Sequence, residues 1–337
     1  MAYANALLKV LSMNDAPAAI APLYAFDVSP DGGTRALTED DLKTPAGDDV
    51  AYRWTHLDLA REGVRDWIAQ AVDETVASSL SLEDTRPRCA RHDDGVLLNL
   101  RGVNLNPDSD PEDMVSIRIW FDARSIISAR LRRLMAVVGL REAIERGDAP
   151  ATTGAFVTTL AASLTERMDP VISTLADKVD ALEETSLMNA PGTRTTLAEL
   201  RRTVIILRRY IAPQRDALSR LSQDAKPLLS PEDTDCLRET VDRITRIVEE
   251  LDAIRERAAI LYDQLSDQRA EEMNRNMLLL SIIAAIFLPL GFLTGLLGVN
   301  IGGVPGVDFQ PAFAIFSVIL VLIAGILLWW FRKNRWL

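Results

Sequence analysis

The sequence predicts an α/β cytoplasmic domain, a long helical stalk and two C-terminal transmembrane helices. Three observations predict it. Residues 115–122 alternate through Val115, Ile117, Ile119 and Phe121, the period of a strand with one buried face. Residues 232–288 run for 57 positions without glycine or proline. Residues 277–297 and 312–331 then form uncharged runs of 21 and 20 residues. At ~1.5 Å per residue the first is about 31 Å of helix, enough to cross a hydrocarbon core of roughly 30 Å.

Composition narrows the partners. The formal net charge is −11, and within 277–331 the only charged residue is Asp308, so the acidity belongs upstream. That balance disfavours nucleic acid and suits surroundings that concentrate cations, although an ordinary solvated surface explains the same number. Cys89 and Cys236 are too few for a disulfide framework. The first 20 residues lack a basic cluster followed by a long apolar core, so no signal peptide is expected.

The α/β domain is expected over 1–150. Residues 23–28 and 52–59 read as short strands. Residues 63–80 read as one helix, with Val64, Trp67, Ile68, Ala71, Val72 and Val76 on a common side. Strands follow at 96–105 and 115–122, with 123–127 continuing the sheet. A helix over 132–146 then stops at Gly147.

A helical region is expected over 151–276. Phe156, Leu160, Leu164, Met168, Val171, Leu175, Val179 and Leu182 keep one helical period up to Pro191. A second helix spans 195–225, kinked near Pro213 and stopped by Pro227. Ser230-Pro231-Glu232-Asp233 then supplies a cap, a first-turn proline and acids at the positive end of the dipole. The stripe Leu237, Val241, Ile244, Val248 and Leu251 shifts phase before Ile254, Ala258, Leu261 and Leu265, which disfavours a dimeric coiled coil. One helix is therefore expected to run from this region into the first span.

The spans, 277–297 and 312–331, are joined by only 14 residues, 298–311, as a tight hairpin in membrane lipid. That loop has no Lys or Arg. Arg269 and Arg275 precede the first span, and Arg332, Lys333 and Arg335 occupy the tail 332–337, so both termini are expected on the cytoplasmic side of the membrane. Trp329, Trp330 and Trp336 fit an aromatic belt at the interface. Along the first span Asn274, Met277, Ser281, Ala284, Leu288, Gly291 and Gly295 recur at spacings of three and four and share one face. Leu279, Ile282, Ile283, Ile286 and Leu290 lie opposite. The small, polar face is open to two readings, a helix-packing seam or the wall of a pore built from several copies. Pro289 leaves the Ala285 carbonyl without its usual partner, a break that membrane helices tolerate.

No catalytic constellation stands out, and neither an enzyme nor a cofactor is expected. Cys89-Ala90-Arg91-His92 has zinc-ligand spacing but only two ligands, against four in a structural site. His56, between apolar neighbours on a strand, reads as a packed histidine. Asp108, Asp110, Glu112 and Asp113 form an acidic loop that suits either a hard cation or solvent.

The run IFLPLGFLTGLLGVN, ending in Gly298-Val299-Asn300, followed by Gly302-Gly303-Val304-Pro305-Gly306 and a second span, resembles the CorA superfamily of divalent-metal transporters. The middle Val299, where Met is commonest, and the glycine-rich sequel resemble its ZntB zinc-transporter branch. Asn274-Arg275-Asn276-Met277, the stretch 200–213, Thr85-Arg86-Pro87-Arg88 and the stretch 99–107 extend the likeness over most of the chain. The resemblance implies a funnel-shaped homopentamer with an α-β-α sandwich, the first span lining the pore, in the inner membrane. It implies that Gly298, Val299 and Asn300 form the selectivity mouth, where an Asn300 ring holds a hydrated ion through its water. It implies a polar ring at Asn274 and apolar constrictions at Met277, Leu280 and Leu288. Gly291 stands where many relatives carry a hydroxyl, and Gly306 where the magnesium branch carries an acid, leaving Asp308 as the loop's acid. Zinc uptake coupled to protons is the implied activity. A passive Mg²⁺/Co²⁺/Ni²⁺ channel and a non-conducting membrane scaffold are the alternatives.

Overall fold

The computed structural model describes residues 22–186, 192–299 and 309–334. The chain divides into two units, Met1–Ile260 and Leu261–Leu337.

The first unit is built on a seven-stranded sheet. Its strands are β1 (Tyr24–Val28), β2 (Thr34–Ala36), β3 (Tyr52–Asp58), β4 (Arg88–His92), β5 (Gly95–Gly102), β6 (Val115–Phe121) and β7 (Ser125–Arg130), in the order β2-β1-β3-β7-β6-β5-β4. Among the described residues only β3 and β7 pair in parallel. The others are antiparallel. A parallel pair needs a crossover, and everything between β3 and β7 supplies it.

Between β2 and β3 lies the single turn α1 (Glu39–Leu42). The crossover includes α2 (Val64–Ala71) and α3 (Glu74–Ser81), and after β7 come α4 (Met135–Glu145) and α5 (Thr153–Glu166). Leu57, Leu97, Trp120, Ile127 and Ala129 point to one face and pack with Val64, Ile68, Val76 and Leu80 of α2 and α3. The other face meets α5, where the Phe156 ring lies 4.9 Å from that of Trp54. At Gly102 a Cβ would come within 2.9 Å of Leu164 and Leu134, so a side chain there would separate β5 from α5. The sheet is thus covered on both sides, as the α-β-α expectation required.

Several expected boundaries are corrected. The helix expected over 63–80 is two helices, because Asp73 turns out of helical geometry and its Oδ1 accepts from the Thr75 and Val76 amides. The extension expected over 123–127 is a separate strand, since Asp122 Oδ1 accepts from the Arg124 and Ser125 amides at 2.8 and 2.7 Å and turns the chain. Burial raises the Asp122 pKa, against those two amides. The helix expected over 156–182 is α5 and then α6 (Asp169–Ser186), broken at Arg167 and Met168. α7 (Thr193–Asp224) carries Pro213 inside it, and α8 (Pro231–Leu297) is one helix of 67 residues, followed by α9 (Ala312–Lys333). Ser230 opens α8 as expected, its Oγ accepting from the Asp233 amide while Asp233 accepts from the Ser230 amide.

His56 is fully buried, stacked on Tyr24 and hydrogen-bonded through Nδ1 to Ser128 Oγ at 2.8 Å. Ser128 also accepts from Trp54 Nε1. Nε2 has no partner among the described residues. Burial, and then the nearby Arg130 charge, push the imidazole pKa down to about 3. The unfolded chain takes up this proton near pH 6.5, so the neutral histidine favours folding above that pH and the contribution is lost as pH falls toward 3. Below pH 6.5 each unit is expected to cost at most ~1.4 kcal/mol through this group. Thermal unfolding at pH 7 and pH 5 should therefore show a larger acid shift for the native chain than for His56→Gln. Equal shifts would contradict the assignment.

Candidate metal pathway

In the second unit reduced exposure falls on one stripe of each helix. On α8 it covers Ile282, Ile286, Pro289, Leu290 and Leu293, and on α9 Phe316, Leu320, Ile323, Leu327 and Phe331. Ile282 and Phe331 are buried. The spacing of three and four puts each set on one side of its helix. The small, polar face of α8 lies on the other side. Asn274, Met277, Ser281, Ala284, Leu288, Gly291 and Gly295 are all exposed, Leu288 to 76%. A Cβ at Gly291 or Gly295 would meet nothing within 4 Å. Within one chain this face is therefore uncovered.

The chemistry of that face is sparse. Ser281 Oγ donates to the Met277 carbonyl at 2.8 Å, so its proton is held by the helix and its lone pairs remain for a cation or its water. Thr294 likewise bonds back to the Leu290 and Gly291 carbonyls, both at 3.0 Å. Met277 and Leu280 are exposed to 51% and 66%. Residues 277–297 contain no Asp, Glu or His.

At the end of α8 the Gly298 amide donates to the Thr294 carbonyl at 2.9 Å. A Cβ on Gly298 would sit 2.8 Å from that same oxygen, so the helix closes tightly only with glycine here. Val299 is exposed. Asn300 and Asp308 lie outside the described residues. At the other end of the hairpin Lys333 Nζ lies 4.9 Å from the Trp329 ring centroid, and Arg332 and Lys333 close α9 where its dipole favours cations.

The Cys89 and His92 pairing is corrected. The two residues are three apart on β4, and a strand's period of two sends them to opposite faces. Cys89 is buried on the α7 side, where burial pushes its thiol up to about 12. His92 instead bonds Asp73 at 3.0 Å, with Asp93 at 3.7 Å. Sequence reasoning missed Asp73, whose only signal was its place as an acid ahead of a helical turn. The acidic loop is not gathered into one centre: Asp113 pairs with Arg132, and Glu112 accepts from Thr203 at 2.8 Å.

The profile of the family described as CorA-like Mg2+ transporter protein matches residues 49–333. The divalent cation transporter CmaX of Pseudomonas aeruginosa is 39% identical over 320 residues, covering 94% of this chain and 96% of that protein. The zinc transport protein ZntB of Pectobacterium carotovorum subsp. carotovorum is 34% identical over 320 residues, again 94% of this chain and 96% of the relative. The structure of full-length CmaX superposes with a TM-score of 0.81 at 38% identity, over 96% of this chain and 100% of that one. With the fold, the two apolar helices and these matches in agreement, the chain belongs to the CorA-like family of metal-ion transporters.

Proposed function

We propose that this chain carries divalent cations, Zn²⁺ foremost, across a membrane along a path lined by the uncovered face of α8. The single observation behind this reading is that Asn274, Met277, Ser281, Ala284, Leu288, Gly291 and Gly295 share one helix face that is exposed throughout in the single chain. Five chains, each contributing that face, form the conduit, with the second span as an outer ring in the inner membrane. Residues 1–150 and 151–276 and both termini lie in the cytoplasm, and 298–311 forms the outer mouth. The names of the ZntB relatives support zinc as cargo, and that of CmaX supports a divalent ion more broadly.

At the mouth Asn300 accepts from ion-bound water, holding the ion hydrated, while Gly298 and Val299 shape the ring and Asp308 attracts cations. Met277, Leu280 and Leu288 gate by dewetting. Inward zinc transport drawing on the proton gradient is the primary reading. A passive channel for Mg²⁺, Co²⁺ or Ni²⁺ is the second, favoured by the lack of any Asp, Glu or His in 277–297 to take a proton. Asn300→Ala should slow zinc uptake by proteoliposomes severalfold while leaving folding intact. An unchanged rate would overturn the assigned mouth.

A further inference from the structure

We propose that Asp73, His92 and Asp93 form a zinc-class metal site in the α/β unit, separate from the proposed transport path. His92 closes β4, the last strand of the sheet, and Asp73 caps α3. One donor atom from each, the imidazole nitrogen and two carboxylate oxygens, lies within 4.8 Å of the other two. Nε2 of His92 is 3.0 Å from Asp73 Oδ2 and 3.7 Å from Asp93 Oδ2. Tetrahedral zinc with bonds of about 2.0–2.1 Å needs donors roughly 3.3 Å apart, so only small rotations of two exposed carboxylates complete the set.

The arrangement is oriented for this task. Asp73 commits Oδ1 to the Thr75 and Val76 amides, which fixes the carboxylate and leaves Oδ2 toward His92. Among the described residues neither aspartate pairs with an arginine or lysine. The neighbouring cations of β4 are engaged elsewhere: Arg88 donates to Ser79 Oγ, and Arg91 reaches the Asp93 backbone carbonyl rather than its carboxylate. Two carboxylates thus share one imidazole, and a dication with neutral His92 brings the cluster to zero net charge. An imidazole donor favours zinc over magnesium, which takes an all-oxygen shell. The site is open to solvent, so water supplies the fourth ligand. A bound ion ties the α2–α3 junction to the edge of the sheet.

The test is a zinc titration of metal-stripped full-length protein in detergent, competed against a chromogenic chelator. His92→Gln should bind one zinc fewer per chain than the native protein. Asp73→Asn, which keeps the helix cap and removes the anionic donor, should weaken that zinc at least tenfold with no change in unfolding temperature of the metal-free protein. Asn300→Ala should leave this zinc in place, which separates the site from the pore reading, and excess Mg²⁺ should not displace it. Native stoichiometry and affinity in both His92→Gln and Asp73→Asn, or displacement by Mg²⁺, would overturn the proposal.

Discussion

Ala284→Trp is expected to reduce zinc flux through reconstituted full-length protein to the level of protein-free liposomes, whereas Ile283→Trp should retain most of it. The two positions are neighbours in sequence but about 100° apart on the helix. Ala284 lies on the small face with Ser281, Leu288 and Gly291, and that face is exposed throughout. In the proposed conduit each copy contributes one Ala284, so an indole there would fill it once per chain. Ile283 is also exposed, at 52%, but lies off that face, where lipid or an adjacent helix accommodates a large apolar side chain. Equal loss in both variants would mean that packing is being read. Retained flux in Ala284→Trp would place the ion elsewhere.

Asp27→Ala is expected to destabilise the α/β unit by ~3–5 kcal/mol, because it removes the carboxylate from a buried, doubly hydrogen-bonded ion pair. Arg53 and Asp27 are only 2% and 3% exposed. Their contact is two-pronged, Nε to Oδ1 at 2.7 Å and a terminal nitrogen to Oδ2 at 2.9 Å. Arg53 also donates to the Thr44 carbonyl at 2.6 Å. The half-exposed Arg208–Asp252 pair should behave differently: Asp252→Ala is expected to cost under about 1 kcal/mol, since water screens it. Denaturant unfolding followed by near-UV circular dichroism measures both. A loss below about 1 kcal/mol for Asp27→Ala would contradict this expectation and make the pair no stronger than an exposed one.

The legible parts of the fold were those with a period. Val115, Ile117, Ile119 and Phe121 announce β6 because each faces a covered side of the sheet in turn. The absence of glycine and proline over 232–288 announces α8, since nothing in the run breaks it. Asp73 was invisible for the opposite reason: Ala71, Val72 and Val76 carry the apolar period across the cap, so one helix and two look alike. β4 was missed because Arg88, Ala90, Arg91 and His92 give no apolar alternation, and its strand character comes from pairing with β5. The same oversight produced the Cys89 and His92 pairing, whose spacing suits a turn or helix but not a strand. Ser128, which joins Trp54 to His56, is a tertiary fact with no local signature.

The candidate pathway divides similarly. Small and polar residues every three or four positions mark a special face of the first span in any reading of the sequence. Which face of the span is less exposed is a structural fact, and Ile282, Ile286 and Leu293 supply that answer. At the end of the helix Gly298 fits against the Thr294 carbonyl for a geometric reason. The roles of Asn300 and Asp308 rest on the family motif.

The most direct measurement is zinc uptake by liposomes holding the purified full-length protein and a zinc-sensitive dye, with and without an imposed pH gradient. The account predicts uptake well above protein-free liposomes, faster when the gradient drives protons inward with the metal. Uptake indifferent to the gradient, with Mg²⁺ passing equally well, would contradict the coupled zinc reading and leave a passive channel. No flux of any divalent cation would contradict the central claim itself.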